Sequence, residues 1–237
     1  MGEARRRRGE AYRTRYKPRP PIVLATCQEK YVYYQFWPNL LKIQRQDTDI
    51  IITRGQARTD LARNELVNSF LETKATHILF LDSDQVFPPY TIDRLLSHKK
   101  PVVGCLYFHR QKPFRPHAYK WNWEVLTPLG EPTITALEIT AEDQGLLKVD
   151  AIGTGGLMVA REVFDIIKPP WFEYGGQWDS EDITFCRKLA KERIEVWCDT
   201  GCESGHLAEF VIGRQNYLLE KSIRDGTTEI PKGVSRE

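Results

Sequence analysis

Short runs of consecutive apolar residues alternate with stretches of helical period along most of this 237-residue chain. Ile22-Val23-Leu24-Ala25-Thr26, Asp49 to Thr53, Ile78 to Leu81, Val102 to Tyr107 and Ile194 to Trp197 are too short for helices of their own. They read as strands, those at 49–53 and 78–81 as buried ones. Thr59 to Leu71 sets Ala62, Leu66, Val67, Phe70 and Leu71 on one helical stripe, with Thr59 or Asp60 available as N-cap. Helices are also predicted where Ile92, Leu95 and Leu96 follow Pro88-Pro89, where Val163, Phe164, Ile166 and Ile167 follow a glycine-rich turn, and where Ile183, Cys186, Leu189 and Ala190 follow Asp179-Ser180-Glu181-Asp182. Gln35 to Leu41 predicts a helix or turn interrupted by Pro38. The strand, helix, strand succession predicts right-handed parallel crossovers, hence an α/β domain with a mostly parallel central sheet flanked by helices. From Phe108 to Leu147 the period is lost: Pro113, Pro116, Pro128 and Pro132 interrupt it, while Phe114, Tyr119, Trp121 and Trp123 supply flat apolar faces. Such a stretch suits a binding wall or a satellite cluster under a loop.

A hydrophobic content of 41% over this length supports one sizeable core, and a single domain is expected over 21–222. No run of eighteen apolar residues occurs, and the charged N-terminus lacks the apolar stretch of a signal peptide, so a soluble, cytoplasmic protein is expected. Five cysteines, an odd number, fit a reducing compartment better than a disulfide framework. The net charge of +2 hides an asymmetry, because eight basic residues face only Glu3 and Glu10 in 1–20, an excess of +6 that leaves −4 for the rest. That segment reads as a basic disordered arm, whose Arg5 to Arg8 can hold nucleic acid or an anionic surface, and 223–237 reads as a flexible tail.

Chemistry concentrates where the Ile78 to Leu81 run ends in Asp82-Ser83-Asp84. Carboxylates two residues apart in an extended chain leave a strand on the same side, at the carboxyl end where open α/β sheets bind ligands. Mg²⁺ and Mn²⁺ take oxygen ligands and fill remaining positions with substrate phosphates, so the pair suggests a metal-diphosphate site; the alternative is a turn or helix cap. Thr26-Cys27-Gln28 is expected on the nucleotide side of the crevice. Arg58 and Arg63, near a helix start at the same end of the sheet, can each reach a phosphate or remain solvated helix charges. Gly155 and Gly156 permit close backbone approach to a ligand or a tight turn. Cys198, Cys202 and His206, spaced four apart, can be read as zinc ligands, but without a fourth.

The ordered set Ile78-Leu79-Phe80-Leu81-Asp82-Ser83-Asp84, Gly153-Thr154-Gly155-Gly156-Leu157-Met158, Gly175-Gly176 with Ser180-Glu181-Asp182, and Gly205-His206 resembles glycosyltransferases of the GT-A fold. The likeness is greatest to family-2-type enzymes that use nucleotide-diphospho-sugars, and it covers roughly residues 20 to 210. It implies a Rossmann-like GT-A domain, Mn²⁺ or Mg²⁺ as cofactor, a nucleotide-diphospho-sugar donor and a hydroxyl acceptor. By the same resemblance Asp84 and His206 ligate the metal, and Asp82 contacts the ribose or the metal through water. Thr26, Arg58, Arg63, Asp82, Ser83, Gly155 and Gly156 lie toward the donor. Asp182 matches the catalytic base of inverting members and Glu181 the residue that orients the acceptor. Two other classes stay open, a nucleotidyltransferase and a nucleic-acid-associated protein; a glycosyltransferase acting on modified nucleic acid would combine the last with the first.

Overall fold

The computed structural model describes residues 19–28, 32–55, 58–175, 179–208 and 211–227. Its elements run β1 (Ile22–Gln28), α1 (Phe36–Lys42), β2 (Ile50–Gly55), α2 (Thr59–Leu71), β3 (His77–Phe80), β4 (Gln85–Val86), α3 (Thr91–Ser97) and β5 (Val102–Leu106). There follow β6 (Ala118–Leu126), β7 (Pro132–Ala136), β8 (Leu146–Val149), β9 (Ala151–Ile152), β10 (Leu157–Ala160) and α4 (Arg161–Ile166). The chain continues through α5 (Glu181–Lys191), β11 (Val196–Glu203), β12 (Gly205–Leu207), β13 (Val211–Ile212) and α6 (Arg214–Arg224).

Seven strands form the central sheet in the order β2-β1-β3-β10-β5-β11-β8. β1 pairs in parallel with β2 and β3, and β5 with β11; β10 is antiparallel to both β3 and β5, and β8 to β11. Side chains alternate across a strand, and here each alternate set finds a helical layer. Ile22, Leu24, Leu79, Leu81, Val103 and Met158 pack with Phe36 and Leu40 of α1 and Ile92 and Leu95 of α3. Val23, Ala25, Ile78, Phe80, Val102, Leu157 and Val159 pack with Leu66 and Phe70 of α2, Phe164 of α4, and Ile183 and Leu189 of α5. Burial on both faces is why these strands read as unbroken apolar runs.

The expectation of a buried strand at 49–53 needs correction. β2 is an edge strand, and Ile50 and Ile51 are 36% and 39% exposed. The expected Thr59 or Asp60 cap also differs: Arg58 occupies the N-cap with an extended backbone and gives no side-chain cap, while Asp60 lies inside the first turn. Pro38 falls within α1, in its first turn, where a missing N–H costs little.

The irregular stretch after β5 becomes a small sheet of order β7-β6-β9. Phe114 and Tyr119 are buried in the main core and Trp121 packs against it, whereas Trp123 is 69% exposed. Cys198 and Cys202 do not form a zinc set with His206. A register shift between Asp199 and Glu203 sends Cys198 into one core layer and Cys202 into the other, where its Sγ lies 3.5 Å from Cys105 Sγ. All five cysteines are free.

α6 was not foreseen from the sequence and runs past the expected boundary at 222. It docks through Tyr217, whose hydroxyl donates to Glu138 and accepts from the Ile139 N–H. Residues 1–18, with Arg5 to Arg8, and most of the expected 223–237 tail lie outside the described residues. Arg19, counted in the arm, is instead tied to the sheet: its guanidinium holds Asp49 at 2.7 and 2.8 Å, and Asp49 also accepts the Ile22 N–H. Among the described residues, no helix is long and apolar enough to cross a membrane.

Candidate active site

Because β1, β2, β3, β5 and β11 run the same way, their carboxyl ends share one edge of the sheet, and the segments leaving that edge build the site. Leu81 continues the ladder through its N–H to Ala25 O, and Asp82-Ser83-Asp84 then turns, with Gln85 N–H donating to Asp82 O at 3.2 Å. The chain leaving β11 comes back alongside this turn: β12 pairs with β4, and Leu207 N–H donates to Asp84 O at 2.7 Å. A short second sheet, β13-β12-β4, therefore carries His206 to Asp84.

His206 Nε2 lies 3.3 Å from Asp84 Oδ2, and its Nδ1 lies 2.7 Å from the Phe108 carbonyl. A carbonyl can only accept, so Nδ1 donates to it, and this bond orients the ring with Nε2 facing the Asp84 carboxylate. Burial alone would raise the Asp84 pKa, but the hydrogen bond and charge of His206, with Arg110, outweigh it and hold the carboxyl below its ordinary value. This nitrogen and oxygen pair is a donor set suited to a divalent ion of the Mn²⁺ class.

Asp82 has a different partner. Arg63 of α2, itself buried, reaches Asp82 through Nη2 at 3.0 Å and Glu181 of α5 through Nη1. One guanidinium thus ties the end of β3 to the start of α5. Burial raises the Asp82 pKa, and nearby Asp84 adds to this while Arg63 opposes it. Among the described residues no three His, Cys, Asp or Glu side chains converge as a metal set.

Asp182 follows Glu181 in the first turn of α5 and is half-buried. The Ser180 hydroxyl donates to its Oδ1, which also accepts the Ile183 N–H at 2.8 Å. Its pKa is raised, because burial outweighs these donors and the Arg63 charge.

A cleft of about 580 Å³ is lined by Arg63, Asp82, Ser83, Asp84, Glu181, Asp182 and His206, together with Cys27, Val32, Tyr33, Thr59, Tyr107, Arg110 and His117. Several expected residues are placed elsewhere. Thr26 is fully buried, its Oγ1 has no hydrogen-bond partner, and the neighbouring Cys27 lines the cleft instead. Burial pushes the Cys27 thiol up to about 12, which favours its protonated form. Arg58 stands outside the lining, pairs with Asp60 at 2.6 Å, and its side chain is 60% exposed. Gly155 and Gly156 also fall outside the lining. A Cβ on Gly155 would lie 2.1 Å from Gln85 Nε2 and 2.9 Å from Asp82 Oδ2, so this glycine lets the chain entering β10 pass directly behind the Asp turn. Gly176 lies outside the described residues.

Tyr107, Arg110 and His117 were missed from the sequence. Their signal was positional, since they follow β5 at the same edge of the sheet as the Asp pair. His117 is stacked between Tyr107, at 4.4 Å, and His109, at 3.6 Å. Burial, with the neighbouring His109 and His206, holds the His117 pKa well below its ordinary value, so this wall of the cleft is a neutral aromatic surface.

No protein-family model matches this sequence, and no curated protein matches it. Solved structures do match in fold. One is A197 from STIV, with a TM-score of 0.61 and 16% identity, the match covering 83% of this chain and 91% of that one. Another is GalNAc-T7 with UDP, GalNAc and Mn²⁺, with a TM-score of 0.59 and 9% identity, covering 88% of this chain and 48% of that one. This chain thus spans about half of the GalNAc-T7 chain. The mixed α/β domain, with its mostly parallel seven-stranded sheet flanked by helices, is similar to the GT-A glycosyltransferase fold.

Proposed function

We propose that this protein is a metal-dependent glycosyltransferase that moves a sugar from a nucleotide-diphospho-sugar to an acceptor hydroxyl, with inversion at the anomeric carbon. The observation that carries the reading is the Asp84–His206 pair, whose carboxylate and imidazole Nε2 meet at 3.3 Å and line the same cleft as Asp182. Two protein ligands suffice for Mn²⁺ or Mg²⁺ when substrate phosphates and water complete the shell. The GalNAc-T7 structure, described with UDP, GalNAc and Mn²⁺, supports the choice of ligand classes.

Asp84 and His206 would hold the ion. When bound, it neutralises charge on the departing diphosphate. Arg63 holds Asp82 and Glu181 in place, so that neither carboxylate is free to displace the donor's phosphates from the ion. Asp182, with its raised pKa, takes the proton of the acceptor hydroxyl as that oxygen attacks the anomeric carbon. The bond from that carbon to the phosphate oxygen breaks, and its electron pair leaves on the nucleoside diphosphate.

The test is a thermal-shift and hydrolysis screen of nucleotide-sugars with MnCl₂, run on wild type and Asp84→Ala. A ligand that stabilises the wild type in a Mn²⁺-dependent way should leave the variant's melting temperature unmoved, because binding to the native state raises stability by mass action. Unchanged Mn²⁺-dependent stabilisation of Asp84→Ala would overturn the assignment.

A further inference from the structure

The carboxylate assigned to the ion already carries a second cation. Arg110 Nη1 lies 3.3 Å from Asp84 Oδ2, the same oxygen that faces His206 Nε2 at 3.3 Å. Two arginines line the described cleft, and they differ in freedom. Arg63 has a side chain only 5% exposed and is clamped by two carboxylates, whereas the Arg110 side chain is 46% exposed. The backbone beneath Arg110 is fixed. His109 N–H donates to Arg115 O at 2.9 Å, Phe108 bridges to Pro116, and Phe108 stacks on Tyr217 at 5.2 Å. With His109 also stacked on His117, a loop base tied down by these contacts presents a long, half-exposed cation beside Asp84.

A dipositive ion and a guanidinium repel each other, and an ion held by Asp84 and His206 would compete with Arg110 for the Asp84 carboxylate. An ion arriving alone must displace Arg110 into solvent with no anion to receive it. An ion arriving with a diphosphate brings acceptors suited to the guanidinium fork. We propose that Arg110 exchanges charge partners, neutralising Asp84 in the ion-free protein and passing to the donor's diphosphate when the ion binds, so that ion and diphosphate bind cooperatively. The inference rests on the nucleotide-sugar reading of the same cleft. By linkage, each ligand strengthens the other by the same factor.

MnCl₂ is titrated calorimetrically into the full chain and into Arg110→Gln and Arg110→Lys, alone and with saturating UDP, GDP or ADP. Without nucleotide, Arg110→Gln is expected to bind Mn²⁺ about fivefold or more tighter than wild type, since its competitor is gone. The factor by which the nucleoside diphosphate strengthens Mn²⁺ binding should fall by about fivefold or more, within the usual range of coupling between sites. Arg110→Lys, which keeps the charge, should retain most of that coupling. Equal Mn²⁺ affinity of wild type and Arg110→Gln without nucleotide, or an unchanged coupling factor where a nucleoside diphosphate binds, overturns the role of Arg110 alone. Failure of every nucleoside diphosphate to bind the wild type with Mn²⁺ overturns the nucleotide-sugar reading and this inference with it.

Discussion

Asp182 stands where two influences on one carboxyl oppose each other. Burial favours the neutral form, while the Ser180 hydroxyl, the Ile183 N–H and the Arg63 charge favour the ionised one, and burial prevails. A base must be deprotonated to work, so activity should fall with decreasing pH through a pKa higher than that of an ordinary aspartate. Asp182→Asn keeps the size and the Ser180 contact but cannot take a proton, so transfer should drop by roughly 10²-fold or more. Donor binding and melting temperature should stay near wild type. Transfer at near wild-type rate, or a product that retains the donor's anomeric configuration, would refute the assignment. The sequence exposed Glu181-Asp182 as a pair at a helix start; it could not show that Arg63, from a helix over a hundred residues earlier, holds both Glu181 and Asp82.

At the scale of elements, the sheet separates positions that look alike in the chain. Leu79 and Ile51 both sit in apolar runs, but Leu79 is fully buried in a central strand and Ile51 is 39% exposed at the edge. Leu79→Ala should cost about 2–5 kcal/mol through lost burial and the cavity left behind, while Ile51→Thr should stay within about 0.5 kcal/mol. Urea denaturation of the two variants distinguishes them; equal costs would mean that β2 is covered by something in solution. Strand identity was legible because a run of apolar residues bounded by breakers is a local signal. Edge or centre was not, since it depends on how many neighbours a strand acquires.

For the molecule as a whole, the basic segment and the sheet meet at Arg19. Removing residues 1–18 leaves the Arg19–Asp49 pair, so donor hydrolysis and melting temperature should be nearly unchanged. Removing 1–20 deprives Asp49, whose side chain is 1% exposed, of that partner. The second truncation should therefore lose about 1.5–3 kcal/mol more stability than the first, the ordinary cost of hydrogen bonds to a charged group. Equal stability of the two truncations would show that the pair contributes nothing. A large loss of hydrolysis in the folded 1–18 truncation would place the arm in the site.

What the sequence determined by itself is what local periodicity can encode. Apolar runs marked five of the seven strands of the central sheet, helical stripes marked most of the helices between them, and the two-residue spacing of Asp82 and Asp84 put both carboxylates at the end of a strand. The low hydrophobicity of Arg214–Arg224, despite its helical period, left α6 unseen. The tertiary structure decided everything that depends on partners distant in the chain. β10 inserts antiparallel between β3 and β5 because sheet order is set by packing over long separations. Asp84 meets His206 across 122 residues only because a bulged β11 returns its chain to β4. Arg110 reaches the same carboxylate from a loop without apolar period, so no local pattern could have announced it.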